Sequence, residues 1–389
     1  MKCITFHSRV RPGSASVHNG MNRLITLALL FGVTMCHPKN IEPTGAQLNP
    51  ADEGTEDWAP ILPPVPVRTD CSPEKIAEVL EPVNTNIATV INCNLTLEPE
   101  DVITKRVIFQ GEVSSGTTLN CNNGTIDPSN NISSNLDAIE IRSLVTNAGW
   151  EPVHDVSVQN CTIRGSVRIY GMGKNSGDSD LTESSRTFEH VNVTRNNAPY
   201  SIDLDNVTII GRGRIPLYFG PGVYYSNLTN SKIEGNSTSV MMYLDAETYG
   251  NTIYQTIFNA TYAGREVIAL DGSSYNTIED NRILKAPLGG IYLYRNCGEN
   301  GTIRHATPSY NEIINNEIRC LYNIFDIYAA IYLGSRDGGR GYCNNDAGYP
   351  YGSSVSDQDH ARYNVVTGNE LHGCSIKTGN KTNHSNIVD

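Results

Sequence analysis

Two aspartates, Asp245 and Asp271, end the similar apolar segments VMMYLD (240–245) and IALD (268–271). If these segments are neighbouring rungs of a stacked sheet, one coil and two residues separate the aspartates, a Cβ distance of about 8 Å. That spacing suits an inverting hydrolytic pair, one carboxyl acting as acid and the other as base for water, which needs roughly 6.5–9.5 Å. Glu247 and Glu299 are substitutes for either. A second chemistry is written in YLYRN (292–296). Elimination next to a carboxylate needs a cation to neutralise it, a base for the α-proton and an acid for the leaving oxygen. Tyr294 or Tyr243 could be base or acid, and Arg295, Arg336 or Arg340 could hold the carboxylate in a forked grip. Calcium on Asp245, Glu247 and Asp271 is chemically reasonable, but no dedicated calcium loop occurs, so no cofactor is expected.

These residues need a frame, and the chain supplies one by repetition. YNTIEDNRI (275–283) returns as YNEIINNEI (310–318) and YNVVTGNEL (363–371), with weaker copies at 155–163, 225–233 and 250–258. Leu228, Ile253 and Ile278 are spaced by a constant period, later steps being lengthened by insertions; a period of this size marks a stacked repeat. Each unit carries a second short strand with period-two alternation. Two or three such strands per unit build a right-handed parallel β-helix, an all-β solenoid whose like residues superpose about 4.8 Å apart. Asn276, Asn311 and Asn364 then stack at one corner, and Asn281, Asn316 and Asn369 at another, bonding coil to coil.

Aligning the second strands gives two outward columns. One runs Glu140, Arg168, Pro216, Met241, Ala269, Tyr292, Tyr332; the next runs Arg142, Tyr170, Tyr218, Tyr243, Asp271, Tyr294, Gly334. Stacked tyrosines present flat apolar faces and hydroxyl tips, which match the faces and rims of sugar rings. Tyr170, Tyr218, Tyr243, Tyr292 and Tyr332, with Arg336, are therefore the substrate-binding candidates. Insertions after this strand, at 144–154, 172–186, 297–309 and 336–361, should gather on the same face. The expectation is one open row in which residues 218, 243, 271 and 294 line a saccharide groove.

The N-x-I-x-x-N-x-I coils resemble the pectin-lyase-like superfamily over roughly residues 100–389. The resemblance implies the β-helix and a polysaccharide or glycan partner. It does not choose an activity, because the superfamily holds lyases, hydrolases, uronate epimerases and proteins with no known catalysis. The Asp-Asp and Gly-His-Gly strings of polygalacturonases are absent. So is the Asp-Pro-His-Asp string of mannuronan epimerases, which SDQDH (356–360) matches only in residue types, leaving His360 a minor candidate base. The expected activity is cleavage of an acidic polysaccharide by lyase or hydrolase chemistry; the alternatives are a non-catalytic surface binder of glycan or protein and a uronate epimerase.

The ends of the chain carry other signals. From Met21, MNRLITLALLFGVTMC is a positive start followed by an apolar run too short to span a bilayer, hence an export signal. It ends at Cys36, the position of a lipoprotein acylation site, so residues 1–36 form the signal and the protein is outer-membrane-anchored, periplasmic or secreted. Residues 37–70, rich in Pro and acidic side chains, read as an extended tether, and residues 71–389 as the β-helix. Eight cysteines beyond Cys36 permit disulfides in an exported chain; proximity pairs Cys71 with Cys93 and Cys320 with Cys343. The helix expected over Ser72–Glu81, with Ser72 as N-cap, Pro73 in the first turn and Pro82 as stop, would plug the open end of the stack. A net charge of −12 without a basic stripe excludes nucleic acid as a partner.

Overall fold

The computed structural model describes residue 58 and residues 60–128, 137–174, 178–297, 299–321, 328–334, 348–355, 361–380 and 385–389. Every described residue belongs to one compact unit, Leu48–Asp389. The export signal with Cys36, and Arg336, Arg340, Cys343 and His360, lie outside the described residues.

Three parallel sheets of ten, ten and nine strands wind as a β-helix, with the right-handed crossover that parallel connections adopt. The predicted period is the actual register: Leu228 pairs with Ile253, and Ile253 with Ile278. Interior rows are single-residue stacks. In the first sheet Ile169, Phe219, Leu244, Leu270, Leu293 and Leu333 superpose, each of them fully buried. Both asparagine columns form as expected. The Asn276 side chain donates to Asn311 at 2.8 Å, and Asn311 to Asn364 at 3.0 Å; Asn281 donates to Asn316, and Asn316 to Asn369, each at 3.0 Å. Asn311 also accepts the Asn276 main-chain N–H at 3.0 Å and donates to the Ser273 carbonyl at 3.0 Å. Asn311→Ala strands these buried groups and is expected to lower stability by about 2–3 kcal/mol, read from the denaturant midpoint at unchanged far-ultraviolet signal.

The YN pair that opens each repeat divides two tasks. Its Asn turns inward to the ladder, while its Tyr adopts left-handed backbone, φ 59° at Tyr275, 57° at Tyr310 and 56° at Tyr363. That conformation is uncommon for a bulky residue. Here it throws the ring outward onto its neighbours, Tyr275 on Tyr310 at 4.8 Å and Tyr310 on Tyr363 at 5.0 Å between centroids.

The capping helix spans Pro73–Leu80, and Ser72 caps it by accepting the Lys75 N–H at 3.3 Å. Disulfides join Cys71 to Cys93, Cys121 to Cys161 and Cys320 to Cys374, and Cys297 is also disulfide-bonded. The Cys320–Cys343 pairing is therefore corrected. Cys320 ends the strand Glu317–Cys320, which pairs with Glu370–His372, so stacking brings Cys374 to it where chain proximity had pointed to Cys343. Between the strands Val167–Tyr170 and Tyr200–Asp205 the described residues hold no rung but two short helices, Ser179–Ser184 and His190–Asn196; another short helix covers Gly111–Ser114. None of the three is long enough to show amphipathic periodicity in sequence. The tether is also tied down near its end: Arg68 donates to the Ser115 carbonyl at 2.6 Å, and Trp58 packs edge-on against Tyr224.

Candidate functional site

The outer face of the first sheet carries the candidate residues, in a different register from the expected one. Arg168 pairs with Tyr218, Tyr218 with Tyr243, Tyr243 with Ala269, and Ala269 with Tyr292, which continues to Tyr332. Asp271 pairs with Tyr294 in the adjacent row, and Asp245 follows Leu244, the partner of Leu270. Residues 218, 243, 271 and 294 thus occupy two rows, not one. The sequence alignment slipped by two positions at the strands containing 218 and 243. A two-residue slip keeps every side chain on its own face, so hydrophobic alternation cannot detect it.

The expected open groove is also corrected. Tyr170, Tyr218, Tyr243, Asp245, Asp271, Tyr294 and Arg295 are all buried, because the segment of the two short helices, 178–199, and residues 302–309 and 351–353 close over the face. Ser185 accepts the Ile303 N–H at 2.9 Å, and Ser353 accepts the Arg304 N–H at 3.0 Å. Tyr170 is engaged upstream, its hydroxyl donating to Glu140 at 2.7 Å, and Glu140 also meets Arg106, Arg142 and Lys174. Burial alone would raise the Glu140 pKa; the bonds from Lys174 and Tyr170 outweigh it and hold the carboxyl below its ordinary value.

Beneath the central cover lies a closed charge network. One nitrogen of Arg304 reaches Asp245 at 2.8 Å and Asp271 at 2.7 Å. The Tyr218 hydroxyl donates to Asp245 and the Tyr243 hydroxyl to Asp271. Asn296 donates to Asp271 through its main chain and its side chain, both at 2.7 Å. Two carboxylates tied to one guanidinium nitrogen, each also accepting a tyrosine hydroxyl, are spent on these partners and are not free to act as acid and base. Glu247 is likewise spent, accepting the His305 N–H at 2.8 Å and the Ala306 N–H at 2.9 Å. Of the three carboxylates considered for calcium, Asp245 and Asp271 thus share Arg304 while Glu247 is held by main-chain N–H groups, and no metal-holding group of three His, Cys, Asp or Glu occurs among the described residues. Arg295 is buried beside this network, its side chain 3.5 Å from the His305 carbonyl.

Two imidazoles complete the cover. His190 and His305 lie 4.9 Å apart between ring centroids. Around them are Ser184, Thr194, Glu247, Arg295, Tyr351 and the Ser185 carbonyl. Burial pushes both pKa values down, strongly for His190, where the neighbouring His305 adds to the effect. The fold therefore favours the neutral rings, and the stability they contribute is complete above the unfolded pKa and lost as pH falls below it. The unfolding free energy is expected to drop between pH 6.5 and 5, by up to about 1.4 kcal/mol per pH unit for each histidine, and the urea midpoint with it. His305→Gln should roughly halve that slope, as equilibrium unfolding at several pH values would reveal.

Beyond the cover the same face opens into a cavity of about 380 Å³ lined by Gly264, Arg265, Glu266, Leu288, Tyr292, Tyr294, Tyr328 and Tyr332. Of the sequence candidates, Tyr292, Tyr294 and Tyr332 meet here. The Tyr294 hydroxyl lies between two charged groups: it donates to Glu266 at 2.8 Å and accepts from Arg265, while Arg265 pairs with Glu266 at 2.7 Å. Burial alone would lower the Arg265 pKa; Tyr294 and Glu266 outweigh it, so the guanidinium is held above its ordinary value and stays charged. Burial also raises the Tyr292 phenol, with Glu266 adding to the shift. Tyr292 and Tyr332 lie 5.2 Å apart between ring centroids, tilted at 44°, and are only partly covered. Sequence reading missed Arg265 and Glu266 because they precede the strand Ile268–Asp271 and belong to no outward column. The available signal was a charged pair, GRE (264–266), at a corner where neighbouring repeats carry only apolar and small residues.

No family model matches this chain, and no curated protein matches it. Among solved structures, it is similar to the alginate lyase AlyF-OU02 in complex with G6, at 14% identity over 78% of this chain and 70% of that one, with a TM-score of 0.26. It is also similar to a PL6 alginate lyase in complex with a trisaccharide, at 14% identity over 79% and 70%, with a TM-score of 0.23. At these values neither structure bears on the chemistry of the cavity.

Proposed function

We propose that this chain is an exported β-helix protein that cleaves an acidic polysaccharide by β-elimination in the cavity around Tyr294. The observation that carries the reading is the placing of one tyrosine hydroxyl between a cation, Arg265, and a buried carboxylate, Glu266, beside the flat faces of Tyr292 and Tyr332. Arg265 would neutralise the uronate carboxylate and so acidify the neighbouring C–H. The Tyr294 oxygen takes that proton as its own passes to Glu266, and the C–H electron pair becomes the ring double bond. The C–O bond to the leaving sugar breaks, and Tyr292, kept protonated by burial, supplies the proton to the leaving oxygen. Hydrolysis is disfavoured because Asp245 and Asp271 are sealed onto Arg304.

Export is supported by the disulfides, which persist in oxidising compartments. We read Cys36 as the acylated anchor and the following stretch as a spacer; lipid analysis of the mature protein, with Cys36→Ser as control, tests this. The test of the activity is incubation with a panel of uronate polymers, including alginate, the polymer named for the two matched lyases. A lyase generates an ultraviolet-absorbing unsaturated end, whereas a hydrolase creates reducing ends alone. The sealed carboxylates also leave room for a non-catalytic glycan binder, which would retain polymer without product in the same panel.

A further inference from the structure

At the corner leading into the second sheet, away from the cavity, a second aromatic surface climbs the solenoid. Tyr200 stacks on Tyr224 at 4.9 Å, and Tyr249 packs on Tyr275 at 4.9 Å. Between Tyr224 and Tyr249 the stair is filled by a residue from the tether. The Trp58 ring lies 4.6 Å from Tyr224 and 5.6 Å from Tyr249, edge-on to both.

Against this seat lies Arg195, whose guanidinium carbon is 4.5 Å from the Tyr249 ring centre and 5.1 Å from that of Trp58. Arg195 is fully buried and its Nε donates to the Glu247 carbonyl at 2.9 Å. Its two terminal nitrogens have no hydrogen-bond partner among the described residues. Burial pushes this guanidinium down to about 10, despite the nearby Glu247 charge. Cation–π contact satisfies the flat faces of a guanidinium but not its edge donors. A buried cation with two idle edge donors is costly, and its fork geometry fits one ligand class above others, a carboxylate.

We propose that this seat is a binding subsite for a uronic-acid residue of an acidic polysaccharide, and that Trp58 covers it when no glycan is bound. The sugar ring would replace the indole against Tyr224 and Tyr249, and its carboxylate would take both terminal nitrogens of Arg195. The tether is then a competitor on a short leash: polymer binding displaces Trp58 and frees the stretch that precedes the β-helix. The subsite concerns binding alone, so it stands whether or not the cavity cleaves the polymer.

The test uses the full chain carrying Tyr294→Phe to suppress turnover and Trp150→Phe to leave Trp58 as the sole indole. Titration with a guluronate hexamer is expected to move Trp58 emission to the red, while the neutral hexamer cellohexaose leaves it in place. By calorimetry on chains that keep Trp58, Arg195→Gln should weaken hexamer binding at least about tenfold. Trp58→Ala should tighten it by about tenfold, because the seat no longer has to be vacated. Circular dichroism confirms that each variant is folded, and Trp58→Ala tests the idea even if Arg195→Gln does not fold. Unchanged Trp58 emission with the guluronate hexamer, an equal shift with cellohexaose, or weaker binding by Trp58→Ala would each overturn the proposal.

Discussion

Arg265→Gln is expected to lower kcat/KM on a uronate polymer by about 10²–10³-fold, the usual cost of removing one group that stabilises charge developing in the transition state. The fall should appear mainly in kcat if the guanidinium acts on the enolate-like transition state, and mainly in KM if it only anchors the ground-state carboxylate. Arg265→Lys should restore part of the rate, since it keeps the charge but loses the fork. Because Arg265 is the counter-ion of the buried Glu266, Arg265→Gln is also expected to lower the thermal midpoint, so the rates are compared per folded protein. Tyr294→Phe removes the hydroxyl that joins Arg265 to Glu266 and should reduce kcat by a similar factor. Initial rates of unsaturated product formation, normalised to folded protein, measure both.

The second large effect concerns stability. Arg304 is the shared counter-ion of Asp245 and Asp271, and all three are buried. Arg304→Met leaves two uncompensated carboxylates under the cover and is expected to cost about 3–5 kcal/mol. Adding Asp245→Asn and Asp271→Asn removes the stranded charges and should recover much of the loss, so the triple variant should be more stable than the single one. Equilibrium denaturation of the single and triple variants gives the comparison. A single variant as stable as the parent would mean that the cover admits water and the carboxylates are solvated.

The asparagine columns were legible because the repeat writes them in sequence, as YN and N-x-I at a fixed spacing, and a ladder needs only like residues at like positions. The face of the first sheet was legible for the same reason: Tyr292, Tyr294 and Tyr332 project from it as the alternation demands. The row assignment was not. Strands of three or four residues such as Leu217–Phe219 offer too few positions to fix register, and a slip of two costs nothing in the hydrophobic pattern. The cover was illegible for a different reason. Arg195, Arg304 and His305 sit on excursions whose packing is long-range, and a charged residue in a loop looks solvated in sequence. Thus Asp245 and Asp271, which resemble an exposed pair when read along the chain, are tied to a guanidinium from a distant loop. Arg265 and Glu266, at a corner outside every column, form the wall of the opening that remains.

The most direct measurement is absorbance near the ultraviolet band of an unsaturated uronate, followed over time with the full chain, the Tyr294→Phe variant and a panel of acidic polymers. Elimination at the cavity requires a rising signal on at least one polymer, reduced about a hundredfold or more by Tyr294→Phe. The claim is contradicted if no polymer yields the absorbing end, or if Tyr294→Phe yields it at the parent rate.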